Sequence, residues 1–590
     1  MDIVRKSSRH DLAHRNRGGA SKAAAVAFTM AFSLALASAL SACGGGGGGG
    51  DSNTAPPPTS GPPPPSVPPP EQLASVADAT RLLDQASFGP TDAAVADVRS
   101  KNITGWVDAQ LATPSTGYAS IAFIDPNSSV GCPTGSPSTC FRDNYTAFPL
   151  QLQFYVNAVN GADQLRQRVA LAYSQIFVIS GIDIKETYGM RGYQQMLLDN
   201  AFSNFRVLLE RVTLSPAMGD YLDMVNNDKS NLARGTTPNE NYGREILQLF
   251  SIGLFKLNPD GTAKTDSGGV PIPTYTQDTV EGFSYALTGW TYAPRPGATS
   301  KWVNLKYYLG DMVPFPDHHE TGTKLLLEGV SLPAGQTPQQ DLAGALDNIV
   351  AHPNVGPFIG RRLIEALVTS NPSPPYIARI TAVFNDNGQG VRGDMKAVIR
   401  AILLDAEARG DAKTDITYGR LREPAQFVAS AGRALGTKTD GVYLNAQASA
   451  MGQSVFQPGS VFNFYPPDFP LPGSATLVGP QFGLADAPTT DARFNFLNAL
   501  LYSANGIAAD ASVANAIGTK IDLTNLQALA GDATALVGKL DTLLDHTTMT
   551  ATEKSAVASA VNALAGSDTV NRARAAAYLV IAAPRYQIAR

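Results

Sequence analysis

The chain has 590 residues, 45 Lys/Arg against 50 Asp/Glu, a formal net charge of −5 and 44% hydrophobic residues. That length and apolar content support a large core, and on size alone two or more domains. A mildly acidic body without a basic run has no electrostatic means of gripping nucleic acid, which excludes that class of partner.

A basic lead (Arg5, Lys6, Arg9, Arg15, Arg17, Lys22) precedes an apolar run, Ala23 to Leu40, that ends in Leu40-Ser-Ala-Cys43. This order of charge, apolar core and small residues is that of an export signal. Its last four residues resemble the lipobox of bacterial lipoproteins. The resemblance implies that residues 1–42 are removed and that Cys43, lipidated, becomes the first residue and the membrane anchor. The expected location is the bacterial cell envelope, at the outer membrane or periplasmic face. A plain secretory signal and an eighteen-residue membrane helix, near the short limit for spanning, are the alternatives. The first 42 residues hold six Lys/Arg and two Asp/Glu, so their removal leaves 39 basic and 48 acidic residues, a net −9. Residues 43–76 read as a disordered tether. Seven glycines (Gly44 to Gly50) and three proline runs up to Pro70 give it a reach of roughly 50 Å or more.

Residues 77–590 read as one mainly α, multi-helix globular body, with one or two short β-hairpins and a loop-rich segment in the C-terminal third. The three-to-four residue period predicts helices over Asp78 to Gln85, from a Thr91 cap through Val98, in two stretches within Asp143 to Ile179 (the second Gln164 to Val178), and over Tyr193 to Arg211. Further helices fit Asn239 to Phe255, Gln277 to Leu287, Asp341 to Val350, Val355 to Ser370, Tyr376 to Asn385 and Asp394 to Leu404. Phe255 to Tyr275 reads as a hairpin turning at Asn258-Pro-Asp-Gly261, and Trp302 to Leu309 as a short strand. Gly452 to Asp486 is loop-rich, and helices return between Asp491 and Ile581. Cys132 and Cys140, in a turn-rich stretch, read as a local disulfide in an oxidising compartment.

The densest chemistry lies in Asn239-Glu-Asn-Tyr-Gly-Arg-Glu-Ile-Leu-Gln-Leu-Phe250. Projected at about 100° per residue, Glu240, Arg244, Gln248, Asn241 and Glu245 share one arc, opposite Leu249, Tyr242, Ile246, Phe250 and Leu247. Such an arc is either a solvated face with a Glu240–Arg244 pair or the wall of a cleft, with Glu245 as acid/base or ligand and Arg244 clamping an anion. Asp278 and Glu281 stand at capping-box spacing. Pro316-Asp-His-His-Glu320 places two of the four histidines outside the leader beside carboxylates. His318 and His319 are therefore candidate catalytic groups alongside Glu245 and Arg244, and Asp317, His318 and Glu245 are candidate ligands for a divalent metal.

The segments Arg81 to Pro90, Asn239 to Gly253, Pro273 to Asp278, Leu287 to Trp290, His319 to Lys324, His352-Pro-Asn, Asn387 to Asp394, Arg422-Glu-Pro424 and Gly452 to Phe456 resemble, in order, the family catalogued as domain of unknown function 1800. The resemblance spans the body from about Ala77 onward. It implies an exported bacterial protein, often found beside a sulfatase-like or phosphatase-like neighbour, and it carries no established catalytic residue.

Other motifs lose to context. Gly388-Gln-Gly-Val-Arg-Gly393 follows a helix rather than a strand, so it reads as a helix stop with Asp394 capping the next helix. Gly282-Phe-Ser-Tyr-Ala286 lies inside a helix and reads as packing. His352 reads as a cap or packing residue, and His546 as part of a C-terminal helix. Phe462-Asn-Phe-Tyr465 reads as core unless it lines a groove, where its rings would stack a sugar. Two functions stay open. One is a binding or accessory module working with a partner enzyme at the cell surface. The other is an exported hydrolase, metal-assisted or not, with a site between the 239–250 helix and the 316–324 loop.

Overall fold

Ser75 caps the first helix, Val76–Ala86, by accepting from the Asp78 amide at 3.1 Å, and ten of that helix's residues are buried. In this computed structural model residues 73–410 and 413–590 are described. The export signal, the lipobox with Cys43 and the Gly/Pro tether up to residue 72 lie outside the described residues. The described chain is mainly α, with twenty-three helices and four antiparallel pairs of two-residue strands. Among the described residues no helix is long and apolar enough to cross a membrane.

Local chemistry explains most boundaries. Thr91 caps Asp92–Ala112, a helix broken at Asn102, whose φ of 58° is left-handed. The helix expected over Tyr193 to Arg211 is two helices, Thr187–Asp199 and Phe205–Leu214. Asn204 breaks it, because its side chain caps the second piece through the Arg206 amide and donates to the Arg392 carbonyl. The helix expected over Asn239 to Phe255 spans only Asn241–Gln248, and Gly253, at φ 72°, completes the stop. Thr276, rather than Asp278, caps Gln277–Ala286, leaving Asp278 to favour the positive helix end. Asp394 caps Met395–Leu404 as expected.

Phe255 to Tyr275 turns at Asn258–Gly261 and again at Asp266–Gly269. Lys256 donates to Ile272, Ile272 to Lys264 and Lys264 to Lys256, which closes a three-cornered ring of backbone bonds instead of a simple hairpin. Trp302 to Leu309 is no strand. Asn304 pins it as a loop by donating to the Tyr292 carbonyl and accepting from the Lys301 amide. The strand there is Trp290–Thr291, paired with Val313–Pro314. Cys132 and Cys140 form the expected disulfide.

One contiguous apolar cluster runs through the described body. Helices Val355–Leu367 and Pro374–Asn385 pack together, as do Ala533–Leu544, Ala551–Asn562 and Thr569–Ala582. Close approaches fall where glycine stands. A Cβ on Gly282 would lie 1.8 Å from the Leu325 carbonyl, so this glycine lets the strand Lys324–Leu325 rest on the 277–286 helix. The C-terminus returns as Ile588–Ala589 to pair with Arg420–Leu421. That pairing brings the last residues beside the segment that carries Arg422 and Glu423.

Candidate functional site

The 241–248 helix packs on the 277–286 helix, and its polar arc meets two fates. Glu240 is bonded by Arg244 at 2.7 Å and by Gln277 at 2.9 Å, and Arg244 also donates to Gln277. Arg244 is thereby held between two helices. Glu245 turns inward instead and is only 9% exposed. Its Oε2 and the hydroxyl of Tyr275 are both buried, without a hydrogen-bond partner among the described residues. Burial pushes the Glu245 carboxyl up to about 7, against the opposing pull of Arg244. The arc is therefore not a uniform polar face.

The 316–324 loop is locked into the fold. His319 is buried, with Nδ1 2.9 Å from the Thr288 carbonyl and Nε2 2.7 Å from Asp341 Oδ2. Lys324, also buried, forms an ion pair with the same Asp341 oxygen at 2.5 Å. His318 sits 3.0 Å from Asp228 and stacks on Trp302, ring centroids 4.1 Å apart, while Asp317 is exposed. No hydrogen bond or ion pair among the described residues joins Glu245, Arg244, His318 and His319. Among the described residues no group of three His, Cys, Asp or Glu side chains converges to hold a metal. The expected cation site of Asp317, His318 and Glu245 is thus not assembled. His318 is engaged by Asp228, Glu245 is buried, and Asp317 is exposed.

A groove of about 640 Å³ opens elsewhere. Three helical elements supply Ala172, Gln175 and Ile176, then Gln248 and Leu249, then Phe358, Arg362 and Glu365; the segment 460–468 and Pro480–Gln481 close it. Gln248 and Leu249 lie three and four residues after Glu245, so the 241–248 helix does reach a cleft, but by its C-terminal end. The run Phe462 to Tyr465 lines this groove rather than the core alone, with Phe462 44% exposed.

The groove has a braced floor. Glu423 Oε2 accepts from Gln175 at 2.7 Å, Gln453 at 2.7 Å and the Tyr465 hydroxyl at 2.9 Å. Burial, reinforced by Glu423, pushes Tyr465 well above the ordinary phenol range, so its hydroxyl stays a donor. Gln453 uses its other end to accept from the Ala425 amide, which caps the Pro424–Ala434 helix in place of Glu423's own side chain. Beside this, Arg422 and His546 hold buried Asp84. Burial raises the Asp84 carboxyl most, yet Arg422, His546 and Arg420 together outweigh it and leave it below its usual value. His546 therefore lies not among ordinary polar residues of a helix but beyond the end of Ala533–Leu544, on Asp84.

Little in the order of residues signals this arrangement. Gln175, Glu423, Gln453, Tyr465 and Gln481 share no spacing, and amides carry no motif. The segments that carry the family resemblance did mark the neighbourhood, since Asp84, Arg422, Glu423 and Gln453 come from three of them. Others prove to be staples. Asn354 of His352-Pro-Asn bonds Ile252, Phe255 and Leu257, and Thr288 of Leu287-Thr-Gly-Trp290 meets His319.

No curated protein and no solved structure matches the chain. A family model described as "Protein of unknown function (DUF1800)" matches residues 81–588.

Proposed function

For a chain that belongs to the DUF1800 family, a family defined without an activity, we propose a non-catalytic binding module that holds a polymer of the cell envelope in the groove between residues 172–176, 248–254, 358–366 and 460–481. In this reading the protein is exported, anchored by lipid on Cys43, and presented at the cell surface to a partner enzyme of the sulfatase-like or phosphatase-like kind. The observation that carries it is the groove itself. A cleft with an exposed aromatic ring at Phe462, amide side chains in its lining and a floor fixed by three donors on one carboxylate oxygen is pre-organised to bind.

The test is retention of the protein on insoluble envelope material, comparing the natural chain with Phe462→Ala. Loss of retention on removing one exposed ring is expected. Equal retention removes the groove as the binding site. Release of the protein from membranes by Cys43→Ser tests the anchor separately.

One observation favours the hydrolase alternative: a buried carboxyl raised to about 7, at Glu245, is suited to general acid work. Its expected helpers Arg244, His318 and His319 are engaged elsewhere, and for that reason the binding reading is preferred.

A further inference from the structure

Two cavities flank the segment 460–464. The groove of about 640 Å³ and a neighbour of about 460 Å³ share Ser460, Asn463 and Phe464 as a common wall. The groove side presents aromatic rings, whereas the neighbour adds Ser449, Ser454 and Gln457. Asn463 holds a left-handed φ of 67°, which shapes the wall that the two cavities share. We infer that the two cavities form one track for an oligosaccharide of neutral hexose units, with pyranose faces on the rings and hydroxyls read by the amides. This ligand class rests on the groove being the binding site proposed above.

Three observations select this class. First, Gln481 lines the groove and is 5% exposed, and its Oε1 finds no hydrogen-bond partner among the described residues. A buried lone acceptor in a cavity wall calls for a donor from the ligand, and a sugar hydroxyl is one. Second, the charge is wrong for a polyanion. Arg362, the cation of the lining, is paired with Glu365 at 2.9 Å, and Arg361 bonds the same carboxylate at 2.8 Å. Asp468 adds a further negative group. Third, the lining is helix, 3-10 turn and loop without a strand edge, so an extended peptide would gain no backbone ladder there. What remains is flat apolar faces beside planar amides, the pairing that suits a polyhydroxylated ring.

Calorimetric titration of the purified protein with maltohexaose, cellohexaose and hexameric N-acetylglucosamine tests this, each beside its disaccharide and beside a proline-rich peptide and polyphosphate. One hexamer is expected to bind at one per chain and about tenfold tighter than its disaccharide, because it spans both cavities. Phe462→Ala is expected to weaken it about tenfold, and Gln481→Leu several-fold without loss of thermal stability. If no hexamer binds, or if both variants bind as the natural chain does, the saccharide class is overturned. If saccharides fail while Phe462→Ala still abolishes envelope retention, or abolishes binding of the peptide or polyphosphate, the ligand class falls and the groove stands. If saccharides fail and retention is unchanged, both fall.

Discussion

The node around Asp341 and the groove around Gln481 both bury polar side chains, but they treat them differently. At the node, His319 and Lys324 converge on one carboxylate oxygen, and the imidazole's other nitrogen meets a backbone carbonyl. One oxygen, Asp341 Oδ2, answers both side chains, while Asp341 Oδ1 has no hydrogen-bond partner among the described residues. In the groove wall, the buried Oε1 of Gln481 has no hydrogen-bond partner among the described residues. The histidine and lysine of the 316–324 loop are used as structure, whereas the amide of Gln481 belongs to the lining of a cavity.

The contrast breaks most visibly at Asp341. Asp341→Ala leaves two buried cationic or polar groups without their carboxylate, and unfolding in denaturant is expected to show a loss of about 3–5 kcal/mol. Ligand retention by the molecules that remain folded should not change. A normal stability would mean the node is not a staple.

Glu245 comes next, and its sign is definite. Its carboxyl rises on folding from 4.5 to about 7, so the folded state binds its proton more tightly than the unfolded chain does. The Glu245 contribution to stability is therefore greatest below about pH 4.5 and is lost as pH rises through about 7, by up to about 3 kcal/mol. Buried Asp545, both of whose oxygens lack a partner among the described residues, is raised to about 7 as well and contributes a slope of the same sign. Glu245→Gln should flatten the Glu245 part of that slope in denaturation midpoints followed between pH 4.5 and 7. An unchanged slope would remove Glu245 from the account.

Phe462→Ala sharpens the comparison from the groove side. Because the ring is 44% exposed, stability should move by no more than about 0.5 kcal/mol, while binding weakens about tenfold. Gln481→Leu removes the lone acceptor and is expected to raise the thermal midpoint by about 1 kcal/mol equivalent, at the expense of affinity. The smallest effect belongs to Arg244→Ala. Its pair with Glu240 is partly exposed on both sides, so a loss of only about 0.3–0.5 kcal/mol is expected. A larger loss, or any loss of binding, would restore Arg244 to a functional role.

The elements were largely legible because their signals are local. Thr91 and Asp394 cap the helices they were expected to cap, and Cys132 reaches Cys140 within one turn-rich loop. Tyr193 to Arg211 failed at Asn204, where a side chain serves a partner at Arg392, a contact that no local pattern encodes. The site was less legible for the same reason. Reading the 239–250 arc as one face assumed that helix periodicity decides exposure, yet packing buried Glu245 near Tyr221 and Tyr275 while Arg244 stayed half-exposed against Gln277.

The order of residues alone determined the helical class, most caps, the short disulfide loop and the family, because each depends on neighbours a few positions apart or on motifs kept in series. Only the tertiary structure decided which polar groups are answered. Asp341 meets His319 across 22 positions and Glu423 meets Gln175 across 248, while Gln481 Oε1 finds no hydrogen-bond partner among the described residues. Those encounters are set by how helices pack, and packing assigns partners through space without leaving a spacing in the chain.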